Sequence, residues 1–122
     1  MFRWSGRFDV DVAYLAIETA GLLIGEVDVR RIGPVSANAF EVGMELYDPA
    51  RRGTGLGGEA FELLLGYLFD QGAASRVEAS TAPDNMPMRR ILEKIGFAPT
   101  TSSPARVRYV CTAQAWQERI GS

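Results

Sequence analysis

A glycine-rich segment followed at once by an apolar, helix-periodic run constrains the fold of this chain more than any other feature. The segment covers residues 48–59, with glycines at positions 53, 55, 57 and 58. Glycine lets a turn adopt backbone angles closed to other residues and lets a ligand approach the backbone amides. A helix beginning at about Gly57 directs its unpaired N–H groups and the positive end of its dipole at this turn. The pattern therefore predicts a phosphate or pyrophosphate site, with Arg51 and Arg52 supplying positive charge.

The spacing within this segment argues against the two best-known phosphate-binding loops. A Walker A loop ends in Gly-Lys-Ser or Gly-Lys-Thr, and no lysine follows these glycines. The dinucleotide fingerprint requires an opening strand-turn-helix with an acidic residue about 20 residues further on. Here an arginine precedes the glycines, in the order Arg52-x-x-Gly55-x-Gly57. For the segment taken alone, a tight strand-to-helix turn without a ligand is the alternative interpretation.

Composition and charge describe an ordinary globular chain and exclude several kinds of site. The 122 residues are enough for one domain, and the net charge of −2 does not recruit nucleic acid. The chain has no histidine, which rules out Ser-His-Asp and Cys-His catalysis, and with Cys111 as its single cysteine it has too few ligands for a usual zinc site. One cysteine forms no intrachain disulfide, and no apolar run approaches the ~18 residues of a membrane span. We therefore expect a cytoplasmic protein without a metal, a membrane segment or a nucleic-acid partner.

The hydrophobic pattern predicts one domain over residues 1–122, of mixed α/β (α+β) class, with helices packed on a sheet. Strand-rich and turn-rich stretches alternate at its start, and two helical stretches follow with capping signals at their ends. The predicted elements are a hairpin of strands 13–18 and 22–32, a strand over 40–47, a helix over 58–72 with Gly72 as C-cap, a strand over 76–81, a helix over 86–95 capped by Asp84 or Asn85 and ended by Gly96, an extended piece from Phe97, a strand over 107–112 and a short helix over 113–116.

Three segments of the chain resemble segments of the GNAT N-acetyltransferases, and they follow one another in the same order as in that family. The first is the glycine-rich loop, and the second is Asp84-Asn85-x-x-Met88-x-x-x-x-Glu93-Lys94-x-Gly96-Phe97, similar to a helix of that family. The third, residues 41–46, resembles the fourth strand of the branch that includes the ribosomal-protein alanine acetyltransferases. The resemblance extends from about Tyr14 to Trp116 and implies a mostly antiparallel central sheet flanked by helices.

The resemblance implies that acetyl-CoA is the acyl donor and a primary amine the acceptor. In this family the pantetheine arm pairs with the end of the fourth strand, and the pyrophosphate binds the main-chain N–H groups of the loop. Asn85 matches an asparagine that contacts the cofactor arm, and Arg89 or Arg90 could reach a CoA phosphate unless both belong to a solvated helix face. The cofactor-binding residues implied in this way are Leu46, Tyr47, Asp48, Arg51, Arg52, Gly53, Thr54, Gly55, Leu56, Gly57, Gly58, Asn85 and Arg90.

The resemblance also suggests catalytic residues. Glu41 matches the position of a general base in many relatives, and a strand glutamate that organises Arg31 or Arg76 is the alternative. Many relatives carry a general-acid tyrosine where this chain has Leu92, and the related branch often has a serine where this chain has Met88. Tyr109 on the last predicted strand is then a substitute general acid, unless it is only a half-buried sheet residue.

The N-terminal part departs furthest from the resemblance. Relatives carry a strand and two helices before the strand that begins near Tyr14, whereas only about a dozen residues precede it here. We therefore expect abbreviated N-terminal helices and a shortened acceptor half of the site. The Tyr14 strand should lie near a sheet edge, with unpaired backbone groups and part of one face uncovered. Phe2, Trp4 and Phe8 are many aromatics for a solvated tail. They predict a homodimer, the alternative being that they fold back on their own sheet.

The expected function is transfer of acetyl from acetyl-CoA to a small-molecule or peptide amine. A GNAT-like CoA-binding or interaction module without catalysis is one alternative, and a different enzyme activity on the same scaffold is another.

Overall fold

The computed structural model describes residues 2–8, 12–19, 22–46, 56–72 and 74–121, which form seven strands and three α-helices. The element bounds follow the hydrophobic periodicity closely, because strands alternate with period 2 and the helices repeat near 3.6. The elements are β1 (Phe2–Phe8), β2 (Val12–Thr19), β3 (Leu22–Ile32), β4 (Ala39–Leu46), α1 (Leu56–Gly66), β5 (Arg76–Thr81), α2 (Met86–Ile95), β6 (Ala98–Ser102), β7 (Val107–Thr112) and α3 (Ala113–Gly121).

All seven strands belong to one sheet, in the order β1-β2-β3-β4-β5-β7-β6. Neighbouring strands are antiparallel except β4 and β5, which run parallel where residues 39–41 face residues 76–78. A parallel pair needs a crossover connection, and α1 lies within the segment that joins these two strands. The predicted mixed α+β class, with a mostly antiparallel sheet, is confirmed.

The first strand covers the outer side of β2. Every residue of β1 pairs with β2, from Phe2 opposite Thr19 to Phe8 opposite Ala13. The expectation of unpaired backbone groups along the Tyr14 strand is therefore wrong, because β1 takes the edge position. Only residues 9–11 separate the two strands in sequence.

Alternation along the central strands gives the sheet one apolar face and one polar face. On β5, Val77 and Ala79 are buried in the core, while Glu78 and Ser80 belong to the other face. The same cluster of buried side chains contains apolar residues of β3, β4, β5 and β7 together with residues of all three helices. The helices therefore pack against the apolar face. Their fully buried side chains include Phe61, Leu64, Leu65, Leu68 and Leu92.

The helix that follows the glycine-rich segment ends in a wider turn than the pattern predicts. Residues 67–71 continue α1 as a π-helical turn, and Gly72 ends it with its N–H donating to the carbonyl of Tyr67. Gly72 has the right-handed conformation rather than the left-handed one of a usual glycine C-cap. The glycine is needed for another reason, since a Cβ there would lie 2.8 Å from the carbonyl oxygen of Leu68.

The C-terminal helix is longer than the pattern predicts because its tryptophan docks onto this π-turn. Trp116 is buried, stacks on Phe69 with ring centroids 5.6 Å apart, and donates from Nε1 to Asp70 Oδ1 at 3.1 Å. These contacts extend the predicted helix over 113–116 to Ala113–Gly121.

Candidate active site

The strands β4 and β5 separate after their short parallel stretch, and this separation forms the candidate site. The last parallel pair is Glu41 with Glu78. Beyond this pair, β4 stays with β3 as far as Leu46, and β5 stays with β7 as far as Thr81. The two strands therefore diverge. Met44 and Thr81 line the resulting cleft from the two diverging strands.

The cleft has a volume of about 500 Å³ and lies where the two strands diverge. Glu26 and Asp28 of β3 line one wall, beside Gly43 of β4. Ser80 of β5 and Arg106, from the turn between β6 and β7, also line the cleft. Nη1 of Arg106 donates to Oγ of Ser80 at 3.3 Å. The cleft therefore has a carboxylate wall on β3 and a guanidinium held on a hydroxyl on β5.

Glu41 belongs to an ion-pair network that spans three strands at the start of the divergence. Its Oε2 lies 3.5 Å from Nη2 of Arg108 on β7, and Nη1 of Arg108 lies 3.6 Å from Oε1 of Glu78. Nε of Arg76 donates to Oε2 of Glu78 at 3.0 Å. The Glu41 side chain is still 31% exposed. Its carboxylate is therefore held in place and accessible from solvent.

Arg108 is the partner of Glu41 that sequence reasoning missed, in place of Arg31 or Arg76. Arg31 lies over the Phe40 ring, 4.8 Å from its centroid, and Arg76 pairs with Glu78. The alternation of β7 is a signal that puts Arg108 on the polar face. The order β4-β5-β7, which brings it near Glu41, is set by the folded sheet.

Tyr109 is fully buried on the apolar face, where it connects β7 to α2. Its hydroxyl oxygen accepts a hydrogen bond from Nε of Arg89 at 3.0 Å, and Nη1 of Arg89 donates to the carbonyl of Pro83 at 2.8 Å. The hydrogen bond to Tyr109 is the largest cause that raises the pKa of Arg89 above its ordinary value. Tyr109 pairs with Ala79 of β5, and Glu41 pairs with Glu78 of the same strand. Paired residues share a face, and the consecutive residues Glu78 and Ala79 point to opposite faces. The two predicted catalytic residues therefore lie on opposite faces of the sheet.

Most of the predicted pyrophosphate loop lies outside the described residues. The residues concerned are Tyr47, Asp48, Arg51, Arg52, Gly53, Thr54 and Gly55. Leu46 ends β4 opposite Gly25, and Leu56, Gly57 and Gly58 form the first turn of α1. The prediction that a helix begins at about Gly57 is confirmed to within one residue. A Cβ at Gly58 would lie 3.9 Å from Cγ1 of Ile91, so the start of α1 lies beside α2.

Asn85 is the N-cap of α2, one of the two residues predicted for that position. Its side-chain oxygen accepts a hydrogen bond from the backbone N–H of Met88 at 3.2 Å, which satisfies one donor of the first turn. Arg90 is exposed on the same helix. Leu92, where many relatives carry a tyrosine, is fully buried in the core.

The described residues offer little other chemistry. Burial raises the pKa of the Cys111 thiol to about 11, which keeps it protonated and poorly nucleophilic at neutral pH. Within the described ranges, no three His, Cys, Asp or Glu residues are grouped as a metal site. Every helix in that part of the chain is too short or too polar to cross a membrane.

Comparison with known families assigns the chain to one family. The model of the acetyltransferase (GNAT) domain matches residues 1–98. The chain belongs to the GNAT acetyltransferase family, which confirms the resemblance carried by the three sequence segments.

Individual relatives agree with this assignment. The chain is 36% identical over 75 residues to the probable N-acetyltransferase YjcK of Bacillus subtilis (strain 168), a match that covers 62% of this chain and 41% of YjcK. RimJ of Mycobacterium smegmatis, in complex with CoA-disulfide, gives a TM-score of 0.75 at 20% identity, covering 91% of this chain and 60% of RimJ. The spermidine/spermine N-acetyltransferase SpeG from Vibrio cholerae gives a TM-score of 0.77 at 18% identity, covering 91% of this chain and 72% of SpeG. The chain thus spans less than two thirds of YjcK and of RimJ, and the two structural likenesses show the fold.

Proposed function

We propose that this protein transfers an acetyl group from acetyl-CoA to a primary amine of a small molecule or peptide. The observation that carries the proposal is the divergence of β4 and β5 next to an accessible carboxylate, Glu41. In a member of the GNAT family, such a divergence suits a thioester that enters from the side of α1 and an amine that enters from the cleft. Residues 1–122 are proposed to act as a single acyl-CoA-binding domain.

The proposed donor site begins at the N-terminus of α1. The first N–H groups of a helix have no intrahelical acceptor, and the helix dipole favours an anion there. Leu46 at the end of β4, the start of α1, and Asn85 and Arg90 of α2 are proposed to hold the cofactor together with the loop of residues 47–55. The RimJ structure, which contains CoA-disulfide, has a similar fold.

The proposed chemistry needs a neutral amine and a protonated leaving group. The amine nitrogen forms a bond to the thioester carbonyl carbon, the carbon–sulfur bond breaks, and the thiolate takes up a proton. Glu41 is proposed to accept the amine's proton directly or through a water molecule. Tyr109 is proposed as the proton donor to sulfur, because its hydroxyl accepts from Arg89 and keeps its own proton to donate. Since Tyr109 is buried on the face opposite Glu41, this role requires the thioester sulfur to reach the apolar face of the sheet.

The test of this function is calorimetry followed by a thiol-release assay. We expect CoA and acetyl-CoA to bind and pantetheine, which lacks the pyrophosphate, to bind far more weakly. Acetyl-CoA with a panel of primary amines should then release free CoA thiol, and the matching secondary amides should appear by mass spectrometry. A protein that does not bind CoA at millimolar concentration would contradict the proposal.

A CoA-binding module without catalysis is the second candidate, and Leu92 favours it. Leu92 is fully buried among apolar side chains, so no proton donor occupies the position where many relatives have a tyrosine. Tight CoA binding with no thiol release across the amine panel would support this candidate over the enzyme.

A homodimer stays a prediction, with the outer edge of β1 as the proposed contact. The strand β1 now forms that edge of the sheet, and its backbone is the surface on which a second copy would pair. Light scattering over a concentration range should show a mass of about twice 13.3 kDa. A strict monomer at high concentration would contradict it. The single cysteine supports a reducing compartment such as the cytoplasm as the place of action.

A further inference from the structure

The charge on the β3 wall of the cleft indicates which amine the enzyme accepts, an inference that rests on the proposed function. Glu26 and Asp28 are two residues apart on β3 and both line the cleft. Residues with this spacing lie on the same face of a strand. Asp28 is directly opposite Gly43, the cleft residue of β4. The acidic wall on β3 therefore lies next to the part of β4 that diverges from β5.

The carboxylate of Asp28 holds its place because position 43 has no side chain. A Cβ built on Gly43 would lie 2.7 Å from Oδ1 of Asp28, which is shorter than the contacts that Cβ atoms make in folded proteins. The carboxylate therefore lies directly over the backbone of β4. A side chain at position 43 would force this carboxylate to shift from its present place.

The present partner of Asp28 is weak enough to be replaced by a ligand. Oδ2 of Asp28 is 4.0 Å from Nη2 of Arg30, and the two side chains are 43% and 55% exposed. Ion pairs this exposed contribute little, because water screens them and two side chains must be ordered. The guanidinium of Arg106, which also lines the cleft, donates a hydrogen bond to the hydroxyl of Ser80 rather than pairing with Asp28.

We propose that Asp28 is the specificity-determining residue of the cleft and binds the protonated second amino group of a diamine or polyamine acceptor. Neighbouring strands are about 4.8 Å apart, so a group on β3 lies roughly 5–10 Å from the β4–β5 divergence. A four-carbon diamine spans such a distance. Its second amine stays charged at neutral pH, since alkyl amines have pKa values of about 10.4.

The test compares two acceptors of equal length, 1,4-diaminobutane and 4-aminobutan-1-ol. We expect kcat/KM to be at least about tenfold higher for the diamine, the size of one modest charge interaction. Asp28→Asn should remove this preference by raising KM for the diamine, with kcat and the rate on the amino alcohol nearly unchanged. Gly43→Ala should have the same selective effect, because the displaced atoms are the end of a flexible side chain.

A matched control separates a local contact from the overall field. Glu118→Gln removes one negative charge from α3, where Glu118 contacts Gln114, and should leave the preference intact. Equal losses on both acceptors in Asp28→Asn would overturn the inference, as would a preference that survives Asp28→Asn and Gly43→Ala.

Binding of the two amines, measured by calorimetry with and without saturating CoA, distinguishes this inference from the proposed function. Diamine binding that depends on Asp28, without any thiol release, would contradict the function and support the inference. Thiol release with equal affinity for both amines would support the proposed function and contradict the inference about Asp28.

Discussion

Replacement of Gly57 by valine is expected to weaken the binding of coenzyme A by about a hundredfold or more while the chain still folds. Gly57 is the second residue of α1, where the N–H groups of the first turn have no intrahelical acceptor. A valine side chain would occupy the space that a phosphate needs near these groups. Losing two hydrogen bonds to a charged group costs about 3 kcal/mol or more, roughly a hundredfold in affinity. Calorimetry with CoA measures this loss, and a thermal melt checks the fold.

The matched control lies at the other end of the same helix. A Cβ at Gly66 would lie 3.8 Å from Oδ2 of Asp70 and from Cζ2 of Trp116, which are ordinary contact distances. Gly66→Ala should therefore keep CoA affinity, and it should not lower the melting temperature, because alanine is favoured over glycine inside a helix by about 1 kcal/mol. Gly55→Val is expected to act like Gly57→Val. If either valine variant binds CoA as tightly as the parent, the segment is only a structural turn.

Glu41→Gln is expected to lower kcat about a hundredfold, with CoA affinity unchanged. Removing a general base costs on the order of 10² to 10⁴ in rate. The loss should be largest at low pH, where more of the acceptor amine is protonated and depends on help to lose its proton. The measurement is a pH–rate profile of acetyl transfer for the parent and the variant.

Glu78→Gln is the comparison that isolates the role of Glu41. Both carboxylates contact Arg108, but Glu78 is only 14% exposed and also pairs with Arg76. Its replacement should reduce stability and leave the shape of the pH profile intact. If Glu41→Gln keeps the parental profile, or if both variants lower the rate alike, Glu41 is a structural member of the ion-pair network.

Sequence reasoning predicted the elements well where local signals were strong. The strand Arg76–Thr81 and the helix Met86–Ile95 have the predicted bounds, because alternation in one and an asparagine cap in the other act within a few residues. It did less well where packing decides. The extension of α3 depends on Trp116 docking against Phe69, a contact 47 positions away in the chain.

The candidate site divides in the same way. Residues that act through the backbone, such as the first turn of α1 and the Asn85 cap, were predicted from their own neighbours in the sequence. The contact of Arg108 with Glu41, the burial of Tyr109 and the position of Asp28 over Gly43 were not. Each depends on which strands are adjacent and in which register.

The family, the mixed α+β class, the start of the helix after the glycine-rich segment and nearly all element bounds follow from the amino-acid sequence alone. These features follow from propensities, caps and periodicity, which act over about one to four residues. The folded sheet was needed to show that β1 pairs along β2, that β4 and β5 diverge after Glu41, and that Glu41 and Tyr109 lie on opposite faces. Strand order and register depend on the burial of whole faces against helices. The free energy of this burial is a sum over residues that lie far apart in the chain, so it cannot be inferred from any short segment.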